Sequence, residues 1–99
     1  MKPLKIVWKK QALQRVDEIA TWYEGYMSET AMRHFLQGIS STVQTLAYSP
    51  CMGRLDERRS TARTKLYSFV AHPKYKIIYY FNTRTIYIVT IHRTLMKNG

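Results

Sequence analysis

Apolar residues follow two rhythms along this chain, and the change from one to the other divides it in two. From about Gln11 to Tyr26, Ala12, Leu13, Val16, Ile19, Ala20, Tyr23 and Met27 recur three and four apart, while Arg15, Asp17, Glu18 and Glu24 take the positions between. That spacing lays an apolar stripe along one side of an α-helix. Gly25 and the run Ser28-Glu29-Thr30 interrupt the pattern, and Ser28 suits an N-cap, its hydroxyl accepting from an amide of a second helix. The second stripe is Ala31, Phe35, Ile39, Val43 and Leu46, and the helix must stop before Pro50, which restricts the residue ahead of it. Two antiparallel helices joined by a short turn are expected.

The remaining segments read as strands. Leu4 to Lys9 is short and rich in β-formers, which predicts a first strand ahead of the helices. Residues 49–63 carry Pro50, Gly53, Arg54, Asp56, Glu57, Arg58 and Arg59 without periodicity, an irregular basic loop. Three β-rich runs follow, Thr64 to Val70, Tyr75 to Phe81 and Thr85 to His92, separated by the turn signals His72-Pro73 and Asn82-Thr83-Arg84. Strict alternation sets Lys76, Ile78 and Tyr80 on one face of the middle run, against Tyr75, Ile77, Tyr79 and Phe81. In the last run it groups Tyr87, Val89, Ile91 and Arg93 against Ile86, Ile88, Thr90 and His92. The order β-α-α-β-β-β predicts one α+β domain over residues 1–99, an antiparallel sheet with the helical hairpin across one face.

Composition narrows the function classes. A hydrophobic share of 45% with eight Tyr, three Phe and two Trp excludes a disordered chain. Sixteen Lys and Arg against six Asp and Glu leave a formal charge of +10, which calls for a polyanionic partner, nucleic acid or an acidic protein. Cys51 is the only cysteine, so neither an intramolecular disulfide nor a Cys-based metal cluster is available, and a reducing cytoplasm suits the chain. The apolar run Ile6-Val7-Trp8 is too short for a signal-peptide core or a membrane span. With no Gly-rich phosphate loop, nucleophile elbow or metal-spaced His and Cys set, neither a cofactor nor a metal is expected.

The chemistry that remains lies late in the chain, where Arg63, Lys65, Lys76, Arg84, His92 and Arg93 alternate with Tyr67, Tyr75, Tyr79, Tyr80 and Tyr87. Cations hold phosphates and aromatic faces stack bases; tyrosines in a sheet equally pack its core with their hydroxyls at the rim. His92 has a side chain of near-neutral pKa, suited to general acid or base work.

These residues together resemble the RelE/ParE toxin superfamily of bacterial toxin–antitoxin systems. The likeness covers about residues 4–93 and rests on a strand, a helical hairpin ending in Leu46-Ala47-Tyr48-Ser49-Pro50 with Gly53-Arg54 after it, then Tyr75-Lys76-Ile77-Ile78-Tyr79-Tyr80 and Ile86-Tyr87-Ile88-Val89-Thr90-Ile91-His92-Arg93. The resemblance implies a toxin bound as a hetero-oligomer by an acidic antitoxin. Its RelE-like branch cuts messenger RNA in the ribosome, without metal; its ParE-like branch acts on DNA gyrase without being a nuclease. For the nuclease branch it implies phosphate-binding catalytic roles for Lys76 and Arg93, with His92 beside them, and looser nucleic-acid contacts at Arg63, Lys65 and Arg84. Nuclease members add a tyrosine or histidine beyond the last strand, whereas here only Thr94-Leu95-Met96-Lys97-Asn98-Gly99 remains. The Pro50-x-x-Gly53-Arg54 turn resembles the ParE-like branch. A relative that binds an antitoxin or nucleic acid but does not kill is the third alternative.

Overall fold

The computed structural model describes residues 2–72 and 75–93; Pro73 of the expected His72-Pro73 turn and the tail from Thr94 fall outside these described residues. The element order is β1 (Lys5–Trp8), α1 (Lys10–Tyr26), α2 (Glu29–Tyr48), a short 3-10 turn (Pro50–Met52), β2 (Arg54–Leu55), β3 (Tyr67–His72), β4 (Tyr75–Phe81) and β5 (Thr85–Arg93). Local signals set the helix ends as expected. Ser28 Oγ accepts from the Ala31 amide at 3.0 Å, and the amides of Met27 and Ser28 both return to the Tyr23 carbonyl, which closes α1 and opens α2 within one tight turn.

The five strands form one sheet in the order β1-β5-β4-β3-β2. The expected antiparallel arrangement holds for β2 to β5, but β1 lies parallel to β5, so the sheet is mixed. A strand that leaves through two helices re-enters the sheet from far away in sequence, and nothing local dictates its direction. The helices cover one face. Phe35, Ile39, Val43, Leu46 and Ala47 of α2 and Ala12, Ile19 and Ala20 of α1 are buried there against Tyr75, Ile77, Tyr79, Ile86, Ile88 and Ile91. Two residues placed in the α1 stripe do not join them: Leu13 is 54% and Met27 61% exposed. Leu13 lies a step of about 100° from Ala12 around the helix, and Met27 lies beyond the helix end.

The strict alternation expected of the last strand fails at one point. Ile78 pairs with Thr90 and Tyr79 with Ile88, leaving Val89 unpaired in a β-bulge. The bulge resets the pleat, so Ile86, Ile88 and Ile91 all enter the helix-side core, which a regular strand could not do. Thr90 and His92 then point to the opposite, open face, as do Lys76, Ile78 and Tyr80 of β4. A one-residue slip of this kind is invisible to a pattern of period two.

Residues 49–63, expected to be irregular, carry a defined lock, and the strand expected from Thr64 begins at Tyr67. The Tyr79 hydroxyl donates to the Pro50 carbonyl at 2.6 Å and accepts from the Gly53 amide at 3.0 Å. This fastens the turn after α2 to the middle of β4 and delivers Arg54 and Leu55 to pair with Ser68 and Tyr67. Burial pushes the Tyr79 phenol up to about 12, against the pull of the Gly53 amide, so the hydroxyl stays protonated and able to donate. Further on, Ser60 Oγ donates to the Asp56 carbonyl at 2.6 Å and accepts from the Leu66 amide at 2.9 Å, which folds the basic segment back on itself.

Candidate functional site

The open face of the sheet carries cations at one end in a concentrated form. Lys76 pairs with Val70 on one side and His92 on the other, and the segment after β2 brings Asp56 and Arg59 beside them. Asp56 accepts from the Arg59 guanidinium at 2.8 Å and from its amide at 3.2 Å. Burial alone would raise the Asp56 carboxyl, but these bonds and the charges of Arg59 and Lys76 hold it below the usual carboxylate range. A depression of about 540 Å³ opens here, lined by Arg54, Asp56, Arg58, Arg59, Val70 and Lys76 among others. Its cations outnumber its carboxylates, and a phosphate-bearing ligand fits that charge.

His92 is half-buried beside Lys76, its partner in the ladder. Burial first, and then the positive charges of Arg59, Arg15 and Lys76, hold it below the usual histidine range, while Asp56 pulls the other way. The imidazole is therefore neutral at neutral pH and competent as a base. A folded value below the unfolded one means that this contribution to stability is complete above about pH 6.5 and is lost as the pH falls toward the folded value, because the unfolded chain takes up a proton that the folded chain refuses. The urea midpoint is expected to fall from about pH 7.5 to about pH 5.5, and His92→Gln to flatten the slope. The same slope in the variant would move the effect to other groups.

The sheet separates the three expected catalytic residues. Lys76 and His92 share the open face, but Arg93 pairs with Tyr75 on the helix side, its guanidinium 5.2 Å from the centre of the Trp22 ring. There it lines a small cleft with Arg15, Glu18, Ile19, Trp22 and Tyr75. Arg63 and Lys65 come together at the far end of the sheet, around a depression of about 470 Å³ walled by Tyr80 from the open face, Tyr67 and Phe81 from the helix side, and Asn82. Arg84 is exposed on the β4–β5 turn, where its amide donates to Asn82 Oδ1 at 2.8 Å and its carbonyl receives the Lys5 amide. Asp56 and Arg59, which shape the Lys76 end, were outside the expected set. Their only sequence signal is an acid and a base three residues apart in a segment that reads as a plain loop.

The helix side presents a different surface. Tyr75 donates to the Tyr23 hydroxyl at 2.7 Å, and an apolar pocket of about 190 Å³ opens between Tyr23, His34, Phe35, Gly38, Ile39 and Tyr75. A side chain at Gly38 would meet nothing within 4 Å, so packing within this chain does not require the glycine, and its lack of a side chain keeps the pocket open. Among the described residues no group of three or more His, Cys, Asp or Glu is placed to hold a metal ion, and no helix is long and apolar enough to cross a membrane.

A helical hairpin on one face of a mixed five-stranded sheet, with a basic open face, is the architecture of bacterial toxins of the RelE/ParE type. The chain belongs to the ParE toxin family of type II toxin–antitoxin systems, parDE, whose family model matches residues 6–97. Among solved structures it is similar to one from the chromosomal ParDE toxin–antitoxin system of P. aeruginosa, with 15% identity, a TM-score of 0.73, and 91% of this chain and 95% of the other covered. It is also similar to a chain of the toxin–antitoxin complex RelBE2 from Mycobacterium tuberculosis, with 12% identity, a TM-score of 0.68, and 97% of each chain covered. A comparison with curated proteins finds no match.

Proposed function

We propose that this chain is a toxin held by an acidic antitoxin and that, once released, it acts on DNA gyrase rather than by cutting RNA. The observation that carries this reading is the division of the expected nuclease residues: Lys76 and His92 lie on one face of the sheet and Arg93 on the other, stacked on Trp22. A phosphoryl transfer needs its cations and its acid and base around one phosphorus atom. The family match is to ParE toxins. The formal charge of +10 and the apolar pocket beside Gly38 favour an antitoxin segment that is acidic and amphipathic.

Induction of the chain without an antitoxin is expected to stop DNA synthesis first, with translation continuing, and the purified chain to inhibit supercoiling by gyrase. Lys76→Ala and His92→Ala should remain toxic. The pairing of Lys76 with His92 favours one other reading, ribosome-dependent cleavage of messenger RNA; early loss of translation, abolished by Lys76→Ala in a folded protein, would replace the gyrase assignment with that one.

A further inference from the structure

We propose that the open sheet face around Tyr80 and Tyr87 binds an unpaired segment of nucleic acid, with Tyr80, backed by Tyr87, taking a base and the flanking cations its phosphates. The inference is independent of the gyrase reading, since it concerns what the isolated chain binds.

Tyr80 of β4 and Tyr87 of β5 are directly opposite in the ladder. Their rings stack with centroids 4.7 Å apart and planes 18° apart, and both are half-buried on the face that the helices leave open. In such a pair each ring lays one face on the other, so a base can stack only on an outward face, and Tyr80, which lines the depression beside Arg63 and Lys65, offers that face. Cations stand on both sides of the pair. Lys9 Nζ lies 5.6 Å from the centre of the Tyr87 ring, and Lys5 shares that face because Ile6 and Trp8, which alternate with it, enter the core. Beyond Tyr80, Arg63 and Lys65 border the depression of about 470 Å³ that Tyr80 helps to wall. None of these four cations takes part in the ion pairs found among the described residues.

The distribution of carboxylates sharpens the point. All six precede residue 58: Asp17, Glu18, Glu24 and Glu29 belong to the helices, and Asp56 and Glu57 to the segment at the Lys76 end. The platform therefore has positive charge without local neutralisation. Phosphates satisfy the cations, and a base offers the ring face that a tyrosine platform stacks. An acidic peptide supplies the charge but not the ring. A duplex supplies phosphates but keeps its base faces stacked on one another. Single-stranded nucleic acid supplies both, and DNA and RNA share the chemistry.

The test is fluorescence anisotropy on the full chain with labelled oligothymidine and oligouridine of about a dozen nucleotides, each against an abasic strand of equal length and charge. The base-bearing strands are expected to bind about tenfold tighter than the abasic one, a factor within the range of a single base–aromatic stack. The stronger of the two identifies DNA or RNA as the source. Tyr80→Ala should bring the base-bearing strand to within about twofold of the abasic one, and Arg63→Ala with Lys65→Ala should weaken both strands and reduce the salt slope by about 1.4, two phosphates at about 0.7 each. Equal binding of base-bearing and abasic strands by the wild-type chain would overturn the site and leave only attraction to a polyanion. Binding of polyglutamate as tight as that of the oligonucleotide would overturn it in favour of an acidic protein. Both of these decisive comparisons use the wild-type chain, so neither depends on a variant folding.

Discussion

Gly53→Ala is expected to cost about 3 kcal/mol of folding stability, the upper part of the usual range for overpacking, and urea unfolding of the purified chain will read it. A methyl group built on Gly53 would run into the Tyr79 hydroxyl and lie 2.8 Å from the Ser68 carbonyl oxygen. Neither neighbour can give way easily. Tyr79 is fully buried, with its ring stacked on Tyr67 and Phe81, and Ser68 is held by pairing on both sides, to Arg54 and to Ile78. Relief of the clash must therefore break the Gly53 amide bond, the Pro50 carbonyl bond, or both, leaving buried polar groups unpaired. Tyr79→Phe removes the same two bonds without a clash and should cost about 1–2 kcal/mol. The two changes act on one lock, so the double variant should lose less than the sum. A loss below about 1 kcal/mol for Gly53→Ala would mean that the turn relaxes freely and that β2 is not fastened through Tyr79.

Ile88→Ala should cost about 3–4 kcal/mol, whereas Leu13→Ala should cost under about 1 kcal/mol. Both residues are apolar and both sit in amphipathic patterns, yet Ile88 is fully buried and Leu13 is 54% exposed. Ile88 sits in the middle of an interior strand, paired with Trp8 on one side and Tyr79 on the other, beneath the helices. Truncating it leaves a cavity that two strands and the helix layer cannot all move to fill. Leu13 keeps most of its surface in water and has little burial to lose. Similar losses for the two variants would show that the helix-side layer does not pack as described.

Much of this arrangement is legible in the residues themselves. The lengths of α1 and α2, the Ser28 cap and the stop before Pro50 follow from spacing and from single residues whose effects reach no further than one helical turn. The faces of β4 follow from alternation, and the basic charge is a sum over the chain. Candidate residues are legible only as types: Lys76, Arg93 and His92 are expected together, and the register places Lys76 and His92 side by side but Arg93 on the other face. Whether they act on a substrate is a separate question, answered by the toxicity and binding measurements above.

What tertiary structure alone decided has a common cause, namely contact between residues distant in the chain. The parallel seat of β1 beside β5 depends on where two helices return the chain. The Val89 bulge depends on fitting Ile86, Ile88 and Ile91 under the same helices, and it is that bulge which determines which faces His92 and Arg93 take. The role of Gly53 depends on a tyrosine 26 residues away, at a distance no local pattern encodes. By itself the sequence determined the elements and the charge, because these depend on near neighbours and on simple sums; the tertiary structure decided which cations share a surface, because that depends on register, and a shift of a single residue reverses it.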